Sequence, residues 1–250
     1  MKETPLSRLD ANALDTNDWL VRLDVPRALS SSGVQIWLVH LDLPESLISD
    51  LRGLLSPEES QRAARFLVEP PRRSFVVSRA ALRLVLGRRL ATNPFQLRFT
   101  YSVSGKPSLS SEQGRPPLCF NLSHSGGLAL IAVAHDQEVG VDIELAKERS
   151  DLYESAGDFL APGEHALLRQ AAASERGALF YRIWTRKEAV LKGHGQGIAG
   201  GLHLPDLSGM PAGPGSHAVI EFAGAPWLVS DLEPATGYQG ALALRAAHFH

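Results

Sequence analysis

Two short segments of this chain place three carboxylates and a lysine where they constrain the fold around them. Residues 140–144 alternate small or apolar with acidic side chains, so a strand would carry both acids on one face. Residues 184–192 predict a helix with polar side chains spaced by four on one face. If these faces meet, hard oxygen ligands and an ammonium surround one point, which suits Mg²⁺ and phosphate oxygens. The side chains concerned are Asp142 and Glu144 on the strand and Trp184, Glu188 and Lys192 on the helix.

Composition narrows the classes of partner. The 250 residues are 44% hydrophobic and 21% charged, typical of a globular protein with one large domain or two small ones. A net charge of -2 gives no support for a nucleic-acid partner. The longest apolar run, residues 128–134, is too short to cross a bilayer, so no membrane association is expected.

The cysteine content indicates the cellular compartment in which the protein is expected. Cys119 excludes a disulfide within the chain, as is typical of proteins in a reducing cytoplasm. It lies in an apolar run, which favours burial, with a catalytic thiol as the alternative. The N-terminus lacks the apolar segment of a signal peptide, so we expect a cytoplasmic protein.

Hydrophobic periodicity and turn residues predict eight strands and six helices. The strands are 34–39, 96–103, 118–122, 128–134, 138–143, 217–222, 227–232 and 238–246, with 128–134 and 138–143 forming a hairpin. The helices are 44–54, 57–67 with Ser56 as N-cap, 73–90, 151–159, 162–173 and 175–191. Residues 1–32, 123–127 and 201–216 are expected to be irregular.

The order strand, helices, strand occurs twice, which predicts an α+β fold. We expect two similar α/β halves related by a pseudo-twofold axis, each a small, mainly antiparallel sheet packed with helices. Residues 1–32 would be a lead-in segment, 33–115 the N-terminal half and 116–250 the C-terminal half. The sequence shows no clear repeat, so the duplication rests on layout, and the layout favours a monomer.

Each candidate group has a simpler interpretation. Asp142 and Glu144 fit a strand end emerging into solvent, although two like charges on one face repel and a cation would relieve them. Glu188 and Lys192 fit a surface ion pair four residues apart. Trp184 favours partial burial of that face, while Arg186 and Lys187 are expected on a solvated flank.

Candidate anion-binding groups lie elsewhere. His124 sits between Ser123 and Ser125 and precedes two glycines, which would let the backbone approach a phosphate; a lone histidine is more often structural. Lys106, between Gly105 and Pro107, is expected in an exposed turn, where most lysines only aid solubility. Residues 61–90 contain eight arginines and one acid, a composition that suits an anion or a solvated helix.

Four motifs in this order resemble one family. They are Gly105-Lys106-Pro107, residues 120–125, residues 140–144 and the pattern Trp184-x-x-Lys187-Glu188-Ala189-x-x-Lys192. Over roughly residues 34–246, the chain resembles the 4′-phosphopantetheinyl transferase superfamily, and its length and two-half layout resemble the monomeric surfactin-synthetase-activator type. The last two motifs together are highly specific. The Gly- and Pro-rich stretch 201–216 and the leader before residue 32 depart from the family pattern.

The resemblance implies that coenzyme A donates its 4′-phosphopantetheine arm to a serine of an apo acyl or peptidyl carrier protein, releasing 3′,5′-ADP. Asp142, Glu144 and Glu188 would hold Mg²⁺ on the pyrophosphate. Glu188 is also the candidate base for the serine proton, and Lys192 would stabilise the leaving phosphate. The coenzyme A contacts implied are Ser123 and His124 at the phosphates, Lys106 with His124 near the 3′-phosphate, and Arg62, Arg65 and Arg73, with Arg72 able to replace Arg73.

Residues 144–181 would help to form the carrier-protein surface, with Leu152, Phe159, Leu160 and Leu167 as apolar contacts or as ordinary core residues. Two other functions remain open. One is a different Mg²⁺-dependent phosphoryl or pyrophosphate enzyme, although the phosphate-binding GxxxxGK[ST] loop is absent from the sequence. The other is a non-catalytic protein that binds coenzyme A or a carrier.

Overall fold

The structure, a computed structural model, describes residues 18–103, 105–110, 118–147, 159–195, 205–211, 213 and 215–246. They form an α+β protein of antiparallel sheets packed with helices, in two halves along the sequence, as predicted. The strands are β1 (Leu20–Leu23), β2 (Gln35–His40), β3 (Phe99–Tyr101), β4 (Pro107–Leu109), β5 (Leu118–Ser125), β6 (Leu128–His135), β7 (Val139–Leu145), β8 (His217–Phe222), β9 (Ala225–Leu232) and β10 (Tyr238–Arg245). The helices are α1 (Glu45–Arg52), α2 (Pro57–Ala64), α3 (Glu69–Arg89), α4 (Pro162–Gln170) and α5 (Ala173–His194), with 3₁₀ turns at Arg27–Leu29 and Pro94–Gln96.

The first sheet has the order β1-β2-β6-β5, and all of its neighbours are antiparallel. Strand β1 and the 3₁₀ turn Arg27–Leu29 lie within the segment expected to be irregular, so that prediction is wrong for these residues. Leu20 pairs with Val39, and the side chains of Trp19, Leu20 and Leu29 are buried. The lead-in therefore adds an edge strand to the sheet.

The second sheet has the order β7-β10-β9-β8, again antiparallel. The predicted hairpin of residues 128–134 and 138–143 is wrong, because these two strands, β6 and β7, belong to different sheets. Strand β6 pairs with β2 and β5, and β7 pairs with β10. Both strands are buried apolar runs, and local sequence does not reveal which partner such a run will take.

The division of the chain can be followed by sheet membership. Strands β5 and β6 lie beyond residue 115 and yet complete the first sheet. The chain passes from the first sheet to the second between His135 and Val139. The boundary at residues 115 and 116 stays a prediction about domains.

The two sheets stack on each other, with helices on their outer faces. Alternate side chains of one strand point to opposite faces, so each sheet contributes to two clusters. The outer face of the first sheet packs on α1 and α3, its inner face packs on the second sheet, and the outer face of the second sheet packs on α5. Representative buried residues of these three clusters are Val39, Ile131 and Val77; Leu38, Leu130 and Leu242; and Ala189, Trp227 and Ala243.

Local signals explain most helix boundaries. The Ser56 hydroxyl accepts from the Glu59 N–H at the start of α2, and the Glu59 carboxylate accepts from the Ser56 N–H, which confirms Ser56 as the N-cap. Helix α3 begins at Glu69, earlier than predicted, because prolines in the first turn lose no helical hydrogen bond. Helix α5 ends at His194 and is capped by Gly195, whose φ of +86° is left-handed.

Other expectations need correction or stay open. Ser123–Ser125 belong to β5 and not to a loop, and within the predicted strand 96–103 only Phe99–Tyr101 is a strand. The predicted helix 151–159 lies outside the described residues apart from Phe159. Within the described residues, no helix is long and apolar enough to cross a membrane.

Candidate active site

The proposed site lies where the edges of the two sheets meet. Strand β5 is an edge of the first sheet and β7 is an edge of the second. Side chains connect them: the Asn121 amide oxygen accepts from the Val141 N–H at 3.0 Å. Alternating residues of both strands, therefore, point into one seam.

Helix α5 covers this seam closely. A Cβ on Gly140 would overlap backbone atoms of Ala189 and Gly193, so only glycine lets the helix lie against β7 here. Because side chains alternate, Asp142 points to the same side as Gly140 and meets α5. The predicted meeting of the strand face and the helix face is confirmed for Asp142 and Lys192.

Asp142, Lys192 and Ser123 form a tight cluster. The Lys192 ammonium lies 2.5 Å from Asp142 Oδ1 and donates to Ser123 Oγ at 2.9 Å. The Ser123 hydroxyl also donates to Asp142 Oδ1, at 2.6 Å. Asp142 is 1% exposed, and its Oδ2 is buried without a hydrogen-bond partner among the described residues. One oxygen of this carboxylate is fully engaged and the other is left over.

Burial raises the pKa values of the two other carboxylates, Glu144 and Glu188. Burial raises the pKa of Glu188 to about 6; the charges of Asp142 and Glu144 raise it as well, against the opposing effect of Lys192. Burial also raises the pKa of Glu144, whose Oε2 accepts from the Ser125 hydroxyl at 2.6 Å. Three carboxylates thus share one ammonium.

A divalent cation fits this chemistry. The donors are hard oxygens, and the buried Asp142 Oδ2 lacks a hydrogen-bond partner among the described residues. Burial raises the pKa values of Glu144 and Glu188, so a nearby cation would stabilise their charged forms. Within the described part of the chain, no group of three or more His, Cys, Asp or Glu side chains is arranged so that it could hold a metal ion. Asp142 is held by Lys192 in the arrangement seen.

Two basic residues adjoin this cluster: His124 follows Ser123 on β5, and Lys106 contacts Gly193, the residue after Lys192. His124 is an exposed residue at the end of β5, and partial burial of its ring together with the Lys192 charge lowers its pKa. The Lys106 ammonium donates to the Gly193 carbonyl at 2.7 Å, and burial lowers its pKa. Lys106 was expected to be exposed; it is half-buried against the end of α5 instead.

A cleft of about 1200 Å³ opens between α2 and the β3–β4 hairpin. Arg62 and Arg65, two of the expected coenzyme A contacts, line this cleft. Arg73 is not among the lining residues: its guanidinium pairs with Glu45 and donates to the Leu43 carbonyl. Sequence reasoning missed Arg98, Phe99 and Tyr101 on the opposite wall, because nothing local shows that the hairpin faces α2.

Arg186 and Lys187 contradict the expected solvated flank, since both are 2% exposed. Arg186 forms two bonds with the Asp231 carboxylate, at 2.7 and 2.8 Å. Lys187 pairs with Glu164 at 2.8 Å and donates to the Pro205 carbonyl. Their partners are distant in sequence, which is why the local pattern suggested solvent.

Several remaining expectations can now be located. Trp184 is half-buried, as predicted, and stacks on Phe180 with ring centroids 6.2 Å apart. Phe159 packs edge-on against Trp184, and Leu160 is buried nearby, while Leu152 lies outside the described residues. Burial raises the pKa of the Cys119 thiol, which favours the packing interpretation over a catalytic thiol. The carrier contacts stay predictions.

Comparison with family models decides the classification. Residues 45–136 match the model of the N-terminal part of 4′-phosphopantetheinyl transferases, and residues 138–243 match that of the 4′-phosphopantetheinyl transferase superfamily. This chain belongs to the 4′-phosphopantetheinyl transferase superfamily. The two matches meet where the chain passes between the sheets.

Relatives with assigned names are similar over much of the chain. The chain is 42% identical over 152 residues to the 4′-phosphopantetheinyl transferase HetI of Nostoc sp., covering 61% of this chain and 64% of the relative. It is 41% identical over 162 residues to a putative 4′-phosphopantetheinyl transferase of Synechocystis sp., covering 64% and 65%. It is 29% identical over 145 residues to Sfp of Bacillus subtilis, covering 58% and 62%. The chain thus spans slightly less than two thirds of the length of these curated relatives.

Proposed function

We propose that this chain is a holo-carrier-protein synthase. It transfers the 4′-phosphopantetheine arm of coenzyme A to a serine of an apo acyl or peptidyl carrier protein, depends on Mg²⁺, and releases 3′,5′-ADP. The observation that carries the proposal is the cluster of Asp142, Glu188 and Lys192 from two sheet-packed elements, in a chain of this superfamily. In bond terms, the serine oxygen attacks the pantetheine-side phosphorus and the bond to 3′,5′-ADP breaks.

Asp142, Glu144 and Glu188 are the residues that would hold the metal. Mg²⁺ bound there would neutralise charge on the pyrophosphate as the phosphoanhydride opens. The protein contributes a set of carboxylates in which the pKa values of Glu144 and Glu188 are raised, first by burial and then by the like charges of their neighbours.

Glu188 and Lys192 have roles beyond charge balance. A carboxylate with a pKa of about 6 accepts a proton near neutral pH more readily than an ordinary glutamate, which suits removal of the serine proton. A carboxylate cannot be a tight metal ligand and a free base at once, so a bridging water is the simpler route. The Lys192 ammonium would turn from Asp142 to the leaving phosphate.

The cleft supplies a place for the nucleotide end of coenzyme A. Arg62 and Arg65 offer guanidinium groups to its phosphates, and Tyr101 offers an aromatic face. The β3–β4 hairpin that forms one wall also carries Lys106, which contacts Gly193 beside Lys192. The cleft and the carboxylates are therefore linked through one hairpin. His124 as a phosphate contact, a monomeric state and a cytoplasmic location complete the proposal.

The decisive test is the intact mass of a purified apo carrier protein after incubation with this protein, coenzyme A and Mg²⁺. We expect a mass increase of one phosphopantetheine arm, lost when the metal is chelated. No increase with fatty-acid, polyketide and nonribosomal-peptide carriers, while coenzyme A still binds, would indicate a binding role. Release of inorganic phosphate or cleavage of coenzyme A without carrier modification would indicate a hydrolase.

A further inference from the structure

The seam between the two sheets contains a repeated hydrogen-bond pattern. Two serines alternate on β5 and two acids alternate on β7. Ser123 donates to Asp142 and Ser125 donates to Glu144, both at 2.6 Å. This is the length of a charge-assisted bond between a hydroxyl and a carboxylate. Each acid of the proposed metal site is thus paired with one serine.

The direction of these bonds follows from the neighbours of each hydroxyl. The Lys192 ammonium has only protons to offer to Ser123, and the Leu145 N–H has only a proton to offer to Ser125, at 3.2 Å. Each serine oxygen therefore accepts from one side, and its own proton is left for the carboxylate. The two hydroxyls are fixed as donors to Asp142 and Glu144.

We infer that Ser123 and Ser125 are positioning residues that orient the Asp142 and Glu144 carboxylates toward a divalent cation. Asp142 Oδ1 accepts hydrogen bonds from Ser123 and Lys192. Oδ2, which is buried and has no hydrogen-bond partner among the described residues, is therefore left as the ligand oxygen. The inference rests on the metal site of the proposed function. It assigns Ser125 a role for the first time and moves Ser123 from the nucleotide phosphates to the metal.

The sheet topology explains why the two acids need hydrogen bonds from the serines to hold their orientation. Strands β5 and β7 belong to different sheets, so no main-chain ladder between them fixes the acids. The serines, with the Asn121 amide, supply the connection that a ladder would otherwise provide. Groups that orient a metal-binding carboxylate in this way typically change metal affinity by 10- to 100-fold when removed.

Ser125→Ala is the sharper test, because Ser125 touches Glu144 and Leu145 but not Lys192. Mn²⁺ binding to the purified full chain, measured by calorimetry without substrates, reports the site apart from activity. We expect roughly tenfold weaker Mn²⁺ binding in Ser125→Ala and Ser123→Ala, with partial recovery in Ser125→Thr. The Mg²⁺ concentration needed for transfer should rise equally, while the coenzyme A requirement at saturating Mg²⁺ stays unchanged in Ser125→Ala.

A matched control is Ser230→Ala, a fully buried serine of β9 that bonds only weakly to the backbone. It should alter the melting temperature without altering Mn²⁺ affinity. Unchanged Mn²⁺ affinity in both seam variants would overturn the inference, as would a raised coenzyme A requirement in Ser123→Ala at unaltered metal affinity. Absence of Mn²⁺ binding by the wild type would overturn the metal site and this inference together. Binding without carrier modification would overturn the proposed function alone.

Discussion

Helix α5 carries two sets of buried or half-buried charges within seven residues, and the two sets differ in how completely their charges are paired. Arg186 and Lys187 find complete sets of partners: Asp231 binds the first, and Glu164 with the Pro205 carbonyl binds the second. Glu188, the next residue, and Lys192, one turn further along, face Asp142 and Glu144, so that a single ammonium lies among three carboxylates. The first set is neutralised and the second is left negative.

The contrast separates charges that hold the fold from charges that hold a ligand. Glu164 is fully buried, and besides Lys187 it accepts from the N–H groups of Ala161 and Leu207, which ties α4 and residues 205–211 to α5. Nothing is left over there for a ligand. At the seam, the unpartnered Asp142 oxygen and the raised pKa of Glu188 mark a site that gains from an added cation.

The arginines of the first half show the same division. Arg73 is engaged by Glu45 and by the Leu43 carbonyl. Arg62 lies over the Phe75 ring, and both Arg62 and Arg65 face the cleft without an ion pair among the described residues. By the same reasoning, we expect Arg73 to support the fold and Arg62 and Arg65 to be available to an anion.

The largest effect is expected at the negative seam. Asp142→Ala should reduce carrier modification about a hundredfold or more, because it removes a metal ligand and the partner of Lys192. The fold should survive, since the Lys192 side chain is 29% exposed and its ammonium can be solvated. Intact carrier mass and a circular-dichroism melt measure the two effects. Near-normal turnover in this variant would refute the metal assignment.

This seam shows how far sequence reasoning reaches. Alternation placed Asp142 and Glu144 on one face of β7, and spacing by four placed Glu188 and Lys192 on one face of α5, because both patterns are local. Ser125 carries the same signal, an alternation with Ser123, but the polar residues and the two glycines that follow favour a loop over residues 123–127. The strand partner of β5 was not predictable, since pairing between distant segments leaves no local pattern.

The buried partners of α5 show the opposite limit. Arg186 and Lys187 look like ordinary surface residues because their sequence neighbours do not reveal Asp231 or Glu164. Only the fold brings these acids to the helix. Similarly, residues 140–144 could form a strand end that emerges into solvent, so their sequence does not predict the tight contact of Gly140 with α5. The sequence thus predicted most helices and strands and the faces that carry the candidate site residues, and tertiary packing decided which charges were structural.

The second prediction targets the neutralised set. Lys187→Met leaves the Glu164 carboxylate buried without its cation, which typically costs about 3 to 5 kcal/mol of unfolding free energy. Urea denaturation should show a large drop in the midpoint, and Lys187→Met combined with Glu164→Gln should recover part of it. Lys192→Met is the matched comparison, expected to lose transfer with a smaller loss of stability. An unchanged midpoint for Lys187→Met would remove the distinction between the two sets.

The third prediction extends the comparison to the cleft. Replacing Arg62 and Arg65 by alanine should raise the coenzyme A concentration needed for half-maximal transfer roughly tenfold, as loss of a charged hydrogen bond implies, with less effect on turnover. Arg73→Ala is the control and should leave that concentration unchanged. Steady-state kinetics at saturating carrier and Mg²⁺ measure the half-maximal coenzyme A concentration and the turnover number separately. Equal effects of all three substitutions would mean that ion pairing does not distinguish these arginines.

The smallest expected effect is a gain of stability from damaging the site. The pKa of Glu188 is about 6 in the folded protein and 4.5 as an ordinary carboxyl group. The folded chain therefore keeps a proton that the unfolded chain has lost between these pH values, and wild-type stability falls as the pH rises through them. Glu188→Gln cannot ionise, so with a chelator present it should be more stable than the wild type near pH 7.5, by on the order of 1 kcal/mol, but not near pH 4. Urea denaturation at both pH values measures this difference, and an equal gain at both would show that packing, not charge, separates the variant from the wild type.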